Sequence, residues 1–428
     1  MKILIENARL LDPAQNLDQI GSLHIVDGRL LSIDDSSAGF EPDRRIDAEG
    51  LWAFPGLVDL ACRLREPGQT HKASIASETR AAAQAGITSL VCMPDTSPPV
   101  DSPAQIELIH RRAQQACGVR VHTLGALTSG LQGHQLSDMA ALQRAGAVGL
   151  TQALKPMGSH LLLRRALEYA ASHDITVMLH PLDHDLAAQG CAHEGAVATR
   201  LGLRSIPEAA ETAALGVILA LVAQTGARVH LCRLSSAGAA DMLARAVADG
   251  LPVTADVCAH QLFLTEMDVA DFNALCHVMP PLRTLRDRDG LRRAVAQGYI
   301  QAICSDHQPH NLDAKLAPFP ATEPGISALE TLLPLTLRLV EEGVMSLLDA
   351  IQRVTHGAAS VLNLPCGRLA VGEAADIVLF DPQAVYAPDI ENWVSAGRNS
   401  PFFGWEFNGR VTHTLVDGQI IYEAQKEN

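Results

Sequence analysis

The chain reads as an α/β protein, a (β/α)8 TIM-type barrel that carries a small β-sandwich-like domain built from both termini. Three observations lead there. Through the middle of the 428 residues, short apolar runs alternate with amphipathic or alanine-rich segments, the pattern of βα units on a parallel sheet. Eight such runs can be counted, the number that closes a barrel. The two ends of the chain share instead a period-2 alternation of apolar and polar residues.

In chain order, "KILIENARLL", "SLHIVDGRLLSID" and "DRRIDAEGLWAFPG" alternate with turn signals between them, and predict a small antiparallel β unit. The apolar runs follow at residues 56–62, 87–93, 119–127, 147–151, 175–180, 227–234, 252–257 and 300–305. Helix stops support the intervening helices, because "AAAQAGITS", "LQRAGAVG" and "AVADGLPV" each place a glycine after a helix and before the next strand. Alternation resumes in "ADIVLFDP" and "RVTHTLVDGQIIYE", and the aromatic stretch "PFFGWEF" is expected in the core of that β domain. The expected division is residues 1–53 with 366–428 for the discontinuous β domain, and 54–365 for the barrel.

Composition narrows the function. The net charge is −15 and there is no Lys/Arg block, so nucleic acid and anionic membranes are not expected partners. No apolar run approaches the roughly 18 residues of a membrane span, and "MKILIENARLLDP" lacks a signal-peptide core, so a cytoplasmic location is expected. Nine scattered cysteines without a CxxC pair read as small buried hydrophobes in a reducing compartment.

In such a barrel, chemistry sits at the C-terminal ends of the strands. Those ends offer Ala61, Arg63 and Arg65, then Asp95, the "TQALKP" turn, His180, Arg233, and "SDHQPH" with Asp306, His307 and His310. A catalytic zinc site needs three or more converging His, carboxylate or thiolate ligands. Here only His180 and Asp306 clearly qualify.

"FPGLVDL" with "LREPG", "GITSLVCMPDTSPPVD", "HEGAVATRLGLRSIPEAAE", "MPPLRTLRDRDGL", "ICSDHQPH" and "GRNSPFFGWEFNGRV" follow one another in an order that resembles the dihydroorotases of the amidohydrolase superfamily. The resemblance covers nearly the whole chain. It implies a metal centre whose ligands here are mostly replaced. Ala61 and Arg63 stand where the family has HxH, Gln152 and Ala153 where it has a bridging carboxylate, and Arg233 where it has a strand-six histidine. His180 and Asp306 remain as vestiges. On the substrate side, Arg65 and His310 match the family, but Asp95 replaces an asparagine and is expected to repel a dicarboxylate and to neutralise Arg65.

These departures predict no metal, no cofactor and no catalytic residue, with Asp306 paired to Arg63 or Arg233 in place of a cation. The stretch "HPLDHDLAAQGCAHEG" is expected to be a solvated loop instead of a rebuilt metal site, and Lys155 is not expected to be a carbamylated ligand. The resemblance extends to the noncatalytic dihydroorotase-like subunit that some bacteria pair with aspartate transcarbamoylase. It therefore implies a structural role beside that catalytic chain, in more than one copy, in pyrimidine biosynthesis. The alternatives are an active amidohydrolase, a cyclic amide hydrolase or deaminase with an altered single-metal site, and a small-molecule sensor.

Overall fold

The computed structural model describes residues 1–34 and 39–425. Eight parallel barrel strands occur in chain order at Leu57–Cys62, Ile87–Cys92, Arg120–Ala126, Ala147–Thr151, Val177–Leu179, Val229–Leu231, Val253–Cys258 and Ala302–Cys304. Each lies within, or one residue past, a run read from the sequence. The first two strands are buried at every position, as expected where helices cover one face and the barrel interior the other. The ring closes through a short seam beyond the eighth strand. There the His307 amide donates to the Ala61 carbonyl at 3.0 Å, and the Arg63 amide donates to the His307 carbonyl at 2.9 Å.

Glycines end helices where the sequence places them. Gly86, Gly146 and Gly250 take φ of 80°, 106° and 77°, a left-handed conformation that reverses the chain into the next strand. Inside the barrel, Val58, Leu60, Val91, Leu124 and Met178 pack against the short helix His356–Val361, which plugs the end opposite the strand C-termini. A larger apolar layer lies between the strands and the surrounding helices.

The chain termini build one eight-stranded sheet. Its central strand, Trp52–Pro55, pairs antiparallel with the C-terminal strand Ile377–Tyr386 and parallel with the N-terminal strand Lys2–Asp12. The sheet is therefore mixed, where alternation alone suggested an antiparallel unit, because Lys2–Asp12 also pairs parallel with Arg44–Asp47. Ile3, Ile5, Leu23, Ile25, Ile377 and Leu415 form its own core. The aromatic stretch packs elsewhere. Phe402 and Phe407 join the layer around the barrel, so these rings fill the joint between sheet and barrel instead of the sheet's core.

All nine cysteines are free, and no helix among the described residues is long and apolar enough to cross a membrane.

Candidate functional site

The barrel mouth is organised around one carboxylate. Asp306 follows the eighth strand and is 2% exposed. Its Oδ1 accepts from Arg63 Nη1 at 3.2 Å and from Arg233 Nη1 at 3.3 Å, while Oδ2 accepts from Gln308 Nε2 at 2.9 Å. Arg63 and Arg233, at 5% and 1% exposure, come from the first and sixth strand ends and converge from opposite sides. Such buried charges persist only when paired. Arg63 has a second partner, since its Nε donates to Asp95 Oδ2 at 2.8 Å. Burial works against the Asp95 carboxylate, but the Arg63 charge and hydrogen bond outweigh it and hold the group below its usual range.

Asp95 is hydrogen-bonded to Arg63, and its charge also acts on Arg65, the residue it was expected to neutralise. Arg65 makes its own hydrogen bonds elsewhere. Arg65 Nε donates to the Pro309 carbonyl at 3.0 Å, and Nη2 lies 3.0 Å from His310 Nε2. Burial, then the like charge of Arg63, brings Arg65 down to about 10, and burial with Arg65 beside it takes His310 down to about 2. His310 is a neutral imidazole over the whole physiological range. The Arg65–His310 contact thus ties the loop after the first strand to the loop after the eighth.

His180 ends the fifth strand. Its Nδ1 lies 3.0 Å from the Cys232 carbonyl, so that nitrogen carries the proton and Nε2 presents a lone pair with no partner among the described residues. Burial and the nearby Arg233 push its pKa down to about 3. Ala153, 4% exposed, packs in the barrel's interior cluster beside Ala61. The backbone here is unusual. Arg65, Ala153, Arg233 and Asp306 all adopt left-handed φ, at 60°, 53°, 54° and 45°. Side chains with a Cβ take that conformation at a cost of about 1–2 kcal/mol, and such strain clusters at functional sites.

A dication does not fit this donor set. Ala61 and Ala153 offer no ligand atom, both Asp306 oxygens are engaged, and two guanidiniums occupy the space around them. Each fixed positive charge about 4 Å from a dication opposes it by roughly 8 kcal/mol at an effective dielectric near 20. One other group of ligand-type atoms converges among the described residues, namely His230, Cys232 and Asp256. It is already satisfied internally. His230 binds Thr254 Oγ1 at 2.7 Å and Asp256 Oδ2 at 2.9 Å through its two nitrogens, while burial raises the Cys232 thiol well above its usual range.

The sequence matches the amidohydrolase family over residues 52–421. The chain belongs to that family. Within it, this chain is 52% identical over 424 residues to a dihydroorotase-like protein of Pseudomonas aeruginosa, covering 99% of this chain and 100% of that one. It is also 42% identical over 424 residues to a dihydroorotase of Syntrophotalea carbinolica, covering 99% of each chain. Among solved structures, L-hydantoinase from Arthrobacter aurescens superposes with a TM-score of 0.89 at 23% identity, over 98% of this chain and 96% of that one, and supports the fold.

Three features of the barrel mouth escape sequence reading. Gln308 holds the second Asp306 oxygen, although it stands inside "SDHQPH" and carries the amide donors for the task. Asp59 receives the Ser305 amide at 2.8 Å and its hydroxyl at 2.5 Å, and burial raises its carboxyl to about 7. Glu78 holds His307 at 2.7 Å across the seam. The stretch after His180 is also more ordered than expected. Asp183 caps the short helix His184–Ala187, and His193 is buried with Nδ1 3.2 Å from Arg283 Nη1. Lys155 stays exposed.

Proposed function

We propose that this chain is a noncatalytic dihydroorotase homologue that serves as an assembly subunit, present in more than one copy, for the catalytic chain of aspartate transcarbamoylase in pyrimidine biosynthesis. One observation carries the noncatalytic half: two buried arginines bind Asp306 where hydrolytic chemistry would need a metal-activated water. The assembly half is supported by what is kept. A complete barrel and a sheet closed by both termini preserve a surface even though the mouth is filled by ion pairs. A second reading, an amidohydrolase acting on a cyclic amide or an amine through a single metal, has one supporting observation, the free lone pair of His180 Nε2.

The test is size-exclusion chromatography of the purified chain mixed at micromolar concentration with the transferase chain of its own organism, with zinc measured on the same samples. Co-elution is expected, with the transferase smaller or poorly active alone. Separate elution together with full activity of the lone transferase removes the assembly role. Stoichiometric zinc that survives a mild chelator, with turnover of a cyclic amide, moves the conclusion to the second reading.

A further inference from the structure

The helix Ala209–Thr225 is unlike the other long helices of the chain. Its one ionisable residue, Glu211, points inward, where Oε1 accepts the Ser235 amide at 2.7 Å and Oε2 lies 3.7 Å from Arg283 Nη2. Every other helix of ten or more residues shows at least one charged side chain to solvent, as Arg165 and Asp241 do on the two helices packed beside it. A surface helix normally turns a charged or polar face to water, and one that is apolar all round is covered. Here Ala213 and Ala220 are exposed and Val217 is half-buried, so the outer line of the helix is apolar with nothing from the single chain over it.

A groove of about 390 Å³ runs beside this helix, towards the ends of the fourth and fifth strands. Its walls are aliphatic, with Leu163, Leu182, Val217 and Ile218. Two large apolar side chains stand in water next to it. Leu161 is 57% exposed and Leu186 43% exposed, and each follows in sequence a residue that lines the groove, His160 and Asp185. Neither leucine lines the groove of its own chain. A hole and two knobs thus share one face. The rim carries both signs of charge, since Lys155 and Asp185 are exposed and neither forms an ion pair within the chain among the described residues.

We propose that this face binds a second copy of the chain about a two-fold axis. The helix Ala209–Thr225 of each copy lies against its counterpart, Leu161 and Leu186 enter the facing groove, and Lys155 of one copy pairs with Asp185 of the other. Charge and symmetry select that occupant. Two chains of net charge −15 repel one another, and an uncharged helix is where they meet at least electrostatic cost. A two-fold contact sets one patch against itself, so knob, hole and both signs of charge must sit on the same patch. The helix, about 25 Å long and about 10 Å wide, covers roughly a third of the ~800 Å² per partner that a stable interface buries. The neighbouring helix His160–Ser172 and the turn carrying Lys155 lie on the same side to supply the rest. The inference rests on the reading that the chain works in more than one copy, and names the surface that joins the copies.

Size-exclusion chromatography with light scattering on the chain alone, across the micromolar range, tests it. A dimer is expected. Ala213→Glu, at a position exposed in the single chain and therefore tolerated by the fold, should weaken the dimer about 100-fold by burying two unpaired carboxylates. Ala76→Glu, equally exposed on the helix Ile75–Gln84, should leave it unchanged. Lys155→Asp should weaken it about ten-fold, and adding Asp185→Lys should restore it. Hydrogen exchange needs no variant, as protection of residues 209–224 should rise with protein concentration. A monomer throughout the range, a dimer indifferent to Ala213→Glu, or a double variant no tighter than Lys155→Asp overturns the proposal. Adding the transferase chain separates this inference from the assembly role. A chain that is monomeric alone yet co-elutes with the transferase overturns the interface and keeps that role, whereas a dimer joined here that elutes apart from the transferase does the reverse.

Discussion

Asp306 has two guanidiniums and one amide on its two oxygens, and the three donors are not equivalent. Arg63 shares itself with Asp95, whereas Arg233 has no other side-chain acceptor within hydrogen-bonding distance among the described residues. Asp306→Ala strands the Arg233 charge in a dry site, and should cost about 3–5 kcal/mol in urea unfolding. Arg233→Met should cost less, because Arg63 and Gln308 still hold the carboxylate. An equal or reversed order of the two losses would falsify this account of the ion cluster. The sequence already implied the two arginines, since an acid left in a barrel mouth needs a cation and Arg63 and Arg233 stand at the first and sixth strand ends, but it did not imply Gln308. It did not give the choice between Arg63 and Arg65 for Asp95. That choice depends on side-chain direction after a left-handed residue, here Arg65 at φ 60°, and no spacing rule encodes it.

Among the elements, the strands were the most legible, because a strand buried on both faces must be written almost wholly in apolar residues. The helices were legible at their ends, through the glycines that stop them. How helices are tied to each other was not. Asp287 sits in the first turn of the helix Leu285–Ala296, where its Oδ2 accepts from Thr284 Oγ1 at 2.6 Å. Its Oδ1 accepts the Ala237 amide, at 3.0 Å, which opens the neighbouring helix Ala237–Ala248. One buried carboxylate thus caps two helices. Thr284→Ala should cost about 1 kcal/mol, the usual worth of a single cap, and Asp287→Ala about 2–3 kcal/mol because two helix starts lose an acceptor. Thermal melting of the two variants compares them directly, and equal losses would contradict the shared cap. The aromatic stretch shows the complementary limit. Its rings announce burial, but only the three-dimensional path shows that Phe402 and Phe407 pack on the barrel layer.

At the scale of the molecule, the buried titratable groups set an acid limit. Burial takes His122, His180, His260, His277 and His310 to between about 2 and 4, and raises the Asp59 and Glu330 carboxyls to about 7. The folded imidazoles are neutral, so their contribution is present above pH 6.5 and lost as the pH falls towards those depressed values. The two carboxyls act the other way, favouring the folded state more as pH falls from about 7 towards their ordinary values near 4. Between about pH 4.5 and 6.5, unfolding lets five imidazoles gain a proton and two carboxyls lose one. Unfolding therefore takes up protons on balance, and stability should fall as the pH is lowered through that window. Urea midpoints measured across that window check the slope, and a flat profile would show that the imidazoles reach water in the folded state. The mixed sheet has a further consequence, in the order of biosynthesis. Ala53 finds its antiparallel partner in Leu379, so the first strands leave the ribosome long before the strand that covers their open edge exists. The barrel can close while the ribosome is still at work, but the N-terminal sheet stays a nascent, exposed edge until the last segment is translated, which makes it the part of this chain most in need of a chaperone.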